Sequence, residues 1–333
     1  MGFVTNISDF GSLAIVGLEK NTGKTECLNY ILGQLGGRAD RFALTSVGID
    51  GESRDQVCQT AKPEIEIPEG MIFVTSEKHY REKRLAAEVL DVSLERTALG
   101  RLITARAKMS GKLLLSGPSD TAGLKALIDL LKSRGVGTTI VDGALSRLSL
   151  ASPAVTEAMI LATGAAVAGN IPELVRKTKY VYELIGIEEI EKALRTRLAP
   201  QGVWAVSDGG EPIDLELPSV LMLERSGENL FRHGRRIYAT GIVTDKLFQL
   251  LRTQQREVEL IIRDFTRVFA SPEAFYAFLR RGHRIRVVHR SRLLAVTVNP
   301  TAPSGLVLDS RQLCEAMQEA LQIPVYDVKK MPE

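Results

Sequence analysis

Cysteine and large aromatic side chains are scarce in this chain. Three cysteines, Cys27, Cys58 and Cys314, stand among 333 residues. Their odd number rules against a disulfide framework, and their spacing against a thiolate metal site, so a reducing cytoplasm is the expected setting. Trp204 is the single tryptophan and aromatics make up 5% of the chain; a core or interface role is expected for it. An excess of one charge is missing as well. The 43 basic and 40 acidic residues leave a net charge of +3, too balanced to argue for nucleic acid or an anionic membrane. No apolar run approaches the length of a transmembrane helix. The stretch from Met1 to Phe10 lacks a basic region followed by a long apolar run, so no signal peptide is expected. No short-period repeat is visible. What remains is a composition of 25% charged and 44% hydrophobic residues, enough for one large α/β domain or two smaller ones with ample core.

The informative stretch is Leu13 to Thr25. Leu13-Ala14-Ile15-Val16 reads as a buried strand, Gly17 and Gly23 bound a loop, and Lys24-Thr25 open a helix. In that helix Leu28, Ile31, Leu32 and Leu35 recur at i, i+3, i+4 and i+7. Strand, glycine-bounded loop, Lys-Thr and helix together form a phosphate-binding pattern. Main-chain N–H groups around such a loop and at the helix start favour an anion. Gly17, Lys20, Asn21, Thr22, Gly23 and Glu26 therefore join Lys24 and Thr25 as candidate nucleotide-binding residues. Lys24 is expected to reach the β- and γ-phosphates, and the Thr25 hydroxyl to ligate Mg²⁺. Five residues, one more than in the common form, separate Gly17 from Gly23.

Two further acidic positions follow apolar strands. Phe42 to Val47 reads as a strand that runs into Gly48-Ile49-Asp50-Gly51-Glu52. Asp50, with Glu52 second, is placed to hold Mg²⁺ or to orient an attacking water; a solvated Asp-Gly turn is the alternative. Thr138 to Val141 ends in Asp142, the position of a second metal-side carboxylate. Arg147 follows and reads as a surface residue.

Along the rest of the chain, strands alternate with helices, which predicts a mostly parallel sheet flanked by helices. The expected divisions are a nucleotide-binding core over 1–199, a β-rich insertion over 200–242, and a C-terminal α/β part over 243–333 that completes the same sheet. Glu77 to Leu90 reads as a charged helix, and Val92 to Ala107 fits neither period. Ligands of such sheets sit beyond the carboxyl ends of the strands, and Gly17, Asp50, Asp142 and Asn299 all follow strands. The basic run from Arg280 to Arg292 could meet an acidic partner or nucleic acid; without interleaved aromatics, a solvated strand face or a protein contact is favoured. His283 and His289, six residues apart, lie too far from each other along a strand to act together.

Gly17-x5-Gly23-Lys24-Thr25 resembles the loop of dethiobiotin synthetase and its relatives among P-loop nucleotide hydrolases. The closing run, a strand, Asn299-Pro300, a helix and Ile323-Pro324-Val325, resembles the end of the same fold. That resemblance implies a P-loop fold, ATP with Mg²⁺ as cofactors, GTP as the open alternative, and an adenine contact from Asn299. It leaves out residues from about 200 to 290. The chain also resembles accessory proteins encoded beside adenosylcobalamin-dependent lysine and ornithine aminomutases. The pieces are the Gly17–Thr25 loop, Asp142-Gly143-Ala144-Leu145-Ser146-Arg147 with Ala151-Ser152-Pro153, and Val298-Asn299-Pro300-Thr301-Ala302-Pro303. This implies an ATPase that frees damaged cobalamin from a partner mutase, with a second accessory subunit; a homodimer is a further option. A small-molecule ligase or kinase and a nucleotide-binding module without turnover are the other two readings.

Overall fold

A computed structural model describes residues 2–48, 65–143, 152–198, 201–217 and 230–331. Asp50, Glu52 and Cys58, and the stretch from Ala144 to Ala151 with Arg147, lie outside the described residues.

The chain runs through β1 (Ser12–Gly17), α1 (Lys24–Leu35), β2 (Phe42–Ser46), β3 (Ile65–Ile67), β4 (Ile72–Ser76), α2 (Glu77–Glu82), β5 (Ala87–Thr97), β6 (Gly100–Ala107), β7 (Gly111–Leu113), α3 (Thr121–Ser133), β8 (Thr138–Asp142), β9 (Ala158–Gly164) and α4 (Ile171–Ile185). Then come α5 (Lys192–Arg195), β10 (Val203–Val206), β11 (Pro212–Leu217), β12 (Arg236–Ala239), β13 (Val243–Thr244), α6 (Asp245–Arg252), β14 (Glu259–Ile262), β15 (Val268–Phe269), α7 (Pro272–Arg280) and β16 (Arg284–Val287). β17 (Arg292–Asn299), α8 (Ser310–Leu321) and β18 (Val325–Tyr326) close it.

The result is a mixed α/β protein of two compact units, one of residues 1–179 and 292–333, the other of residues 180–291. The first is built on a nine-stranded sheet in the order β18-β17-β9-β1-β8-β2-β4-β6-β5. Its first seven strands are parallel, and β6 and β5 add an antiparallel edge. β1 sits in the middle, and all six of its residues are buried. A run of Leu, Ala, Ile and Val with no polar alternation suits a strand covered on both faces. On α1, Cys27, Leu28, Ile31, Leu32 and Leu35 are buried. They join Leu13, Ile15, Leu44, Phe73 and Ile140 in the largest core cluster. The helical periodicity therefore sets the face that α1 turns to the sheet.

The second unit has its own five-stranded sheet, β11-β10-β12-β14-β16. β11, β10 and β12 are antiparallel neighbours, whereas β12, β14 and β16 run parallel. The divisions expected at 199/200 and 242/243 do not coincide with these units. Residues 259–287 do not complete the large sheet; β14 and β16 pair with β12 instead, and only β17 and β18 join the large one. A short strand's own pattern, whether the buried run of β14 or the alternation of β16, does not encode which sheet it enters, so the pattern alone could not separate them.

The segment read as a helix from Glu77 to Leu90 is helical only to Glu82, and β5 follows. Val89, Leu90, Val92 and Leu94 are all exposed. With no buried face on β5, its apolar residues mark no period, and pairing with β6 decides the conformation.

Candidate functional site

The parallel register brings the ends of several strands to one edge. Gly17 of β1 lies level with Ala162 of β9, and Asp142 of β8 lies level with Ile15 of β1 and Ser46 of β2. Asn299 of β17 is level with Gly164 of β9. Gly17, Asp142 and Asn299 thus share the carboxyl edge on which the sequence placed them. The chain leaves β1 toward β8, β2 and β4 on one side and reaches β9, β17 and β18 on the other. Open α/β sheets form a crevice at such a reversal of strand order.

The connection from β1 to α1 is a compact loop. Leu18 N–H donates to Ala162 O at 3.0 Å, which anchors its start on β9. Thr22 is buried, and its hydroxyl turns back to donate to Glu19 O at 3.0 Å. A Cβ on Gly17 would lie 2.3 Å from Thr22 Oγ1 and 3.2 Å from Lys24 Cδ, so only glycine lets these two side chains close over the strand end. Asn21 has φ 61° and Gly23 φ 90°. Asparagine and glycine are the residues that enter this left-handed region at least cost. These two residues aim the chain into α1.

Gly23 is the N-cap of α1 and offers its first turn no side-chain acceptor. Five other α-helix starts among the described residues have one: Ser76 for α2, Asp120 for α3, Asn170 for α4, Ser271 for α7 and Asp309 for α8. Gly23 thus contributes no side chain of its own to the main-chain N–H groups that begin α1, and the partial positive charge of the twelve-residue helix faces the loop. Lys24 and Thr25 are half-buried there, and Lys20 is exposed. Glu26 points elsewhere, with Oε1 3.1 Å from Lys329 Nζ. Its side chain is occupied by that ion pair, so its main chain is what it brings to the loop.

Asp142 is half-buried at the end of β8, and its carbonyl accepts from Ser46 Oγ at 3.1 Å. Its charge is felt by Cys27, the buried thiol on the first complete turn of α1. Burial is the main cause that holds this thiol up at about 12; the nearby Thr297 hydroxyl works against the rise, and the Asp142 charge adds a smaller share to it. Cys27 is a packing residue, inert as a nucleophile. Against the ordinary value of 9.0, its thiolate fraction near neutral pH falls about a thousandfold. Iodoacetamide at pH 8 is expected to leave Cys27 unmodified in the folded protein and to alkylate it in urea, as read by peptide mass mapping.

Asn299 does not stand apart from the loop. Its Nδ2 donates to Asn21 O at 3.1 Å, and its Oδ1 accepts from Thr301 N–H at 3.2 Å. Among the described residues no group of three or more His, Cys, Asp or Glu converges to hold a metal. Thr25 with Asp142 is a sparse set, but Mg²⁺ bound with a nucleotide takes few protein ligands, filling its shell with phosphate oxygens and water.

Part of the basic run is engaged within the second unit. Arg286 meets Glu188 at 3.3 Å and Glu259 at 3.5 Å, Arg236 meets Glu259 at 2.7 Å and Glu191 at 2.8 Å, and Arg284 pairs with Glu257. Buried His283 accepts from Val258 N–H at 3.2 Å through Nδ1. These contacts give the cluster a structural role on its own sheet.

The fold and the loop define a mixed α/β protein with a glycine-bounded, uncapped helix start at the carboxyl edge of its central parallel strands. Comparison with family models, with curated proteins and with solved structures found no match. Among the described residues, no helix is long and apolar enough to cross a membrane.

Proposed function

We propose that this chain is a P-loop protein that binds Mg-ATP at the Gly17–Gly23 loop and hydrolyses it to change its contacts with a partner protein. The observation that supports this reading most is the uncapped start of α1 behind a loop whose glycines admit no side chain at Gly17 and a left-handed turn at Gly23. Lys24 and the loop amides would hold the phosphates. Thr25 and Asp142 would hold the metal, which neutralises charge that develops on the transferring phosphoryl group. Asp50 stays in the proposal as the residue that orients water. The partner in this reading is a cobalamin-dependent aminomutase acting with a second accessory subunit, as the sequence resemblance implies.

The test is a Mg-nucleotide binding and turnover assay with ATP and GTP, run with and without the mutase. Turnover that rises on addition of the mutase supports the proposal. A phosphorylated metabolite formed along with ADP would make the chain a ligase or kinase. Tight binding with no turnover under any condition would make it a switchless module. Within this reading, Asp142→Asn is expected to weaken binding of Mg-ATP and spare metal-free ATP, and to lower turnover by about 10²-fold or more. Equal effects on both forms of ATP would remove Asp142 from the metal.

A further inference from the structure

We infer that Asn299 is a positioning residue that pins the anion-binding loop in its working shape, and that it does not read a nucleobase. The inference rests on the Mg-nucleotide reading above for its consequence, and on geometry alone for the pinning itself.

Three observations converge on this side chain. First, Asn299 Nδ2 donates to Asn21 O at 3.1 Å. Asn21 is the non-glycine residue of the loop with a positive φ, 61°, so the bond holds the residue whose backbone has most to gain by relaxing. Second, Asn299 lies under the other left-handed residue. A Cβ on Gly23 would come within 2.9 Å of Asn299 Cβ, so the two backbones are in close approach where the loop becomes α1. Third, the opposite end of the amide is used as well, since Oδ1 accepts from Thr301 N–H at 3.2 Å. The two bonds agree on one orientation of the amide. A flipped group would set Oδ1 against the Asn21 carbonyl and Nδ2 against an N–H. With one hydrogen spent on Asn21 and one lone pair on Thr301, the amide keeps a single donor and a single acceptor, and reading adenine would require both to face the base side by side while the two loop bonds hold the group in place.

β17 is thereby tied to the loop. The strand is held in the sheet by β9 and β18, and its last residue reaches the middle of the loop. A loop held in shape before ligand arrives binds more tightly than one that must be ordered on binding. Asn299 would thus act on every phosphate ligand equally, whatever base it carries.

The experiment compares two ligands, Mg-ATP and Mg with inorganic tripolyphosphate, on the wild type and on Asn299→Ala, by calorimetry. Hydrogen exchange of the amides from Glu19 to Thr25 is followed in the unliganded proteins. For loss of one neutral hydrogen bond, both affinities are expected to fall by the same factor, about threefold to tenfold. Loop exchange is expected to speed up, with β1 and β9 unchanged. A loss of folded protein lowers the binding stoichiometry and leaves the dissociation constant alone, so the two readouts separate positioning from a general structural role.

If Asn299→Ala folds poorly, Asn299→Asp retains the size and the acceptor for Thr301 while removing the donor to Asn21. It is expected to speed loop exchange at least as much. A fall in ATP affinity with tripolyphosphate unchanged would make Asn299 a base reader and overturn the inference. Unchanged loop exchange in either folded variant would overturn it too. If Lys24→Ala binds tripolyphosphate as well as the wild type does, it is the nucleotide reading that fails; the exchange data still decide whether Asn299 pins the loop.

Discussion

Lys24→Ala is expected to reduce Mg-ATP binding by roughly 30- to 150-fold, the equivalent of about 2–3 kcal/mol for a charge-assisted contact to phosphate. Turnover is expected to fall below detection. Lys24 is the first residue of α1, so its ammonium adds to the positive field of the helix start instead of acting alone. Its Cδ would lie 3.2 Å from a Cβ on Gly17, so the side chain runs back across the end of β1, over the loop. Truncation removes no core group, since Lys24 is half-buried outside the apolar face of α1. Thermal stability of the unliganded protein is therefore expected to change little, and the stabilisation that ATP confers is expected to vanish. Calorimetry together with a melting curve at saturating nucleotide checks both. Unchanged binding and turnover in this variant would end the case for the loop as a nucleotide site.

Gly17→Ala is expected to harm stability as well as binding. The new methyl group would stand 2.3 Å from Thr22 Oγ1 and 3.1 Å from Glu19 O. Thr22 is buried, and its hydroxyl is spent on Glu19 O. To make room, Thr22 must swing out and lose that bond, or the strand end must shift against β9. Overpacking of this kind costs about 1–3 kcal/mol, a fall in melting temperature of roughly 2–12 °C for a domain of this size. Phosphate binding is expected to drop below detection because the loop amides are displaced with Thr22. Gly33→Ala on α1 is the matched control. A Cβ there meets nothing within 4 Å, so it is expected to stabilise the helix by about 0.5–1 kcal/mol and to leave binding intact. A Gly17→Ala protein that melts and binds like the wild type would show that this close approach does not shape the loop.

The strand, loop and helix at the start were readable because their determinants are local. Four apolar residues at helical spacing name the buried face of α1, and two glycines bound the turn. The acidic end of β8 was readable in the same way: a β-branched run ending in Asp142 looks like a strand that stops in a polar edge. The antiparallel hairpin of β5 and β6 was not legible. The large apolar side chains of β5 are exposed, and the pairing that makes it a hairpin leaves no periodic trace on that strand. Glu26 was named as part of the loop, yet its side chain turns to Lys329; nothing in the first thirty residues anticipates a partner so near the other end of the chain.

The sequence by itself determined that a glycine-bounded turn would join a buried strand to an amphipathic helix, that the helix would begin on Lys24, and that Asp142 and Asn299 would end strands. Short-range sterics and burial period settle such matters within a few residues. Only the tertiary structure decided that residues 259–287 serve a second sheet. It also decided that Asn299 meets the carbonyl of a residue 278 positions earlier in the chain. A parallel strand is nearly the same object wherever it is inserted, and its place is chosen by how whole layers pack.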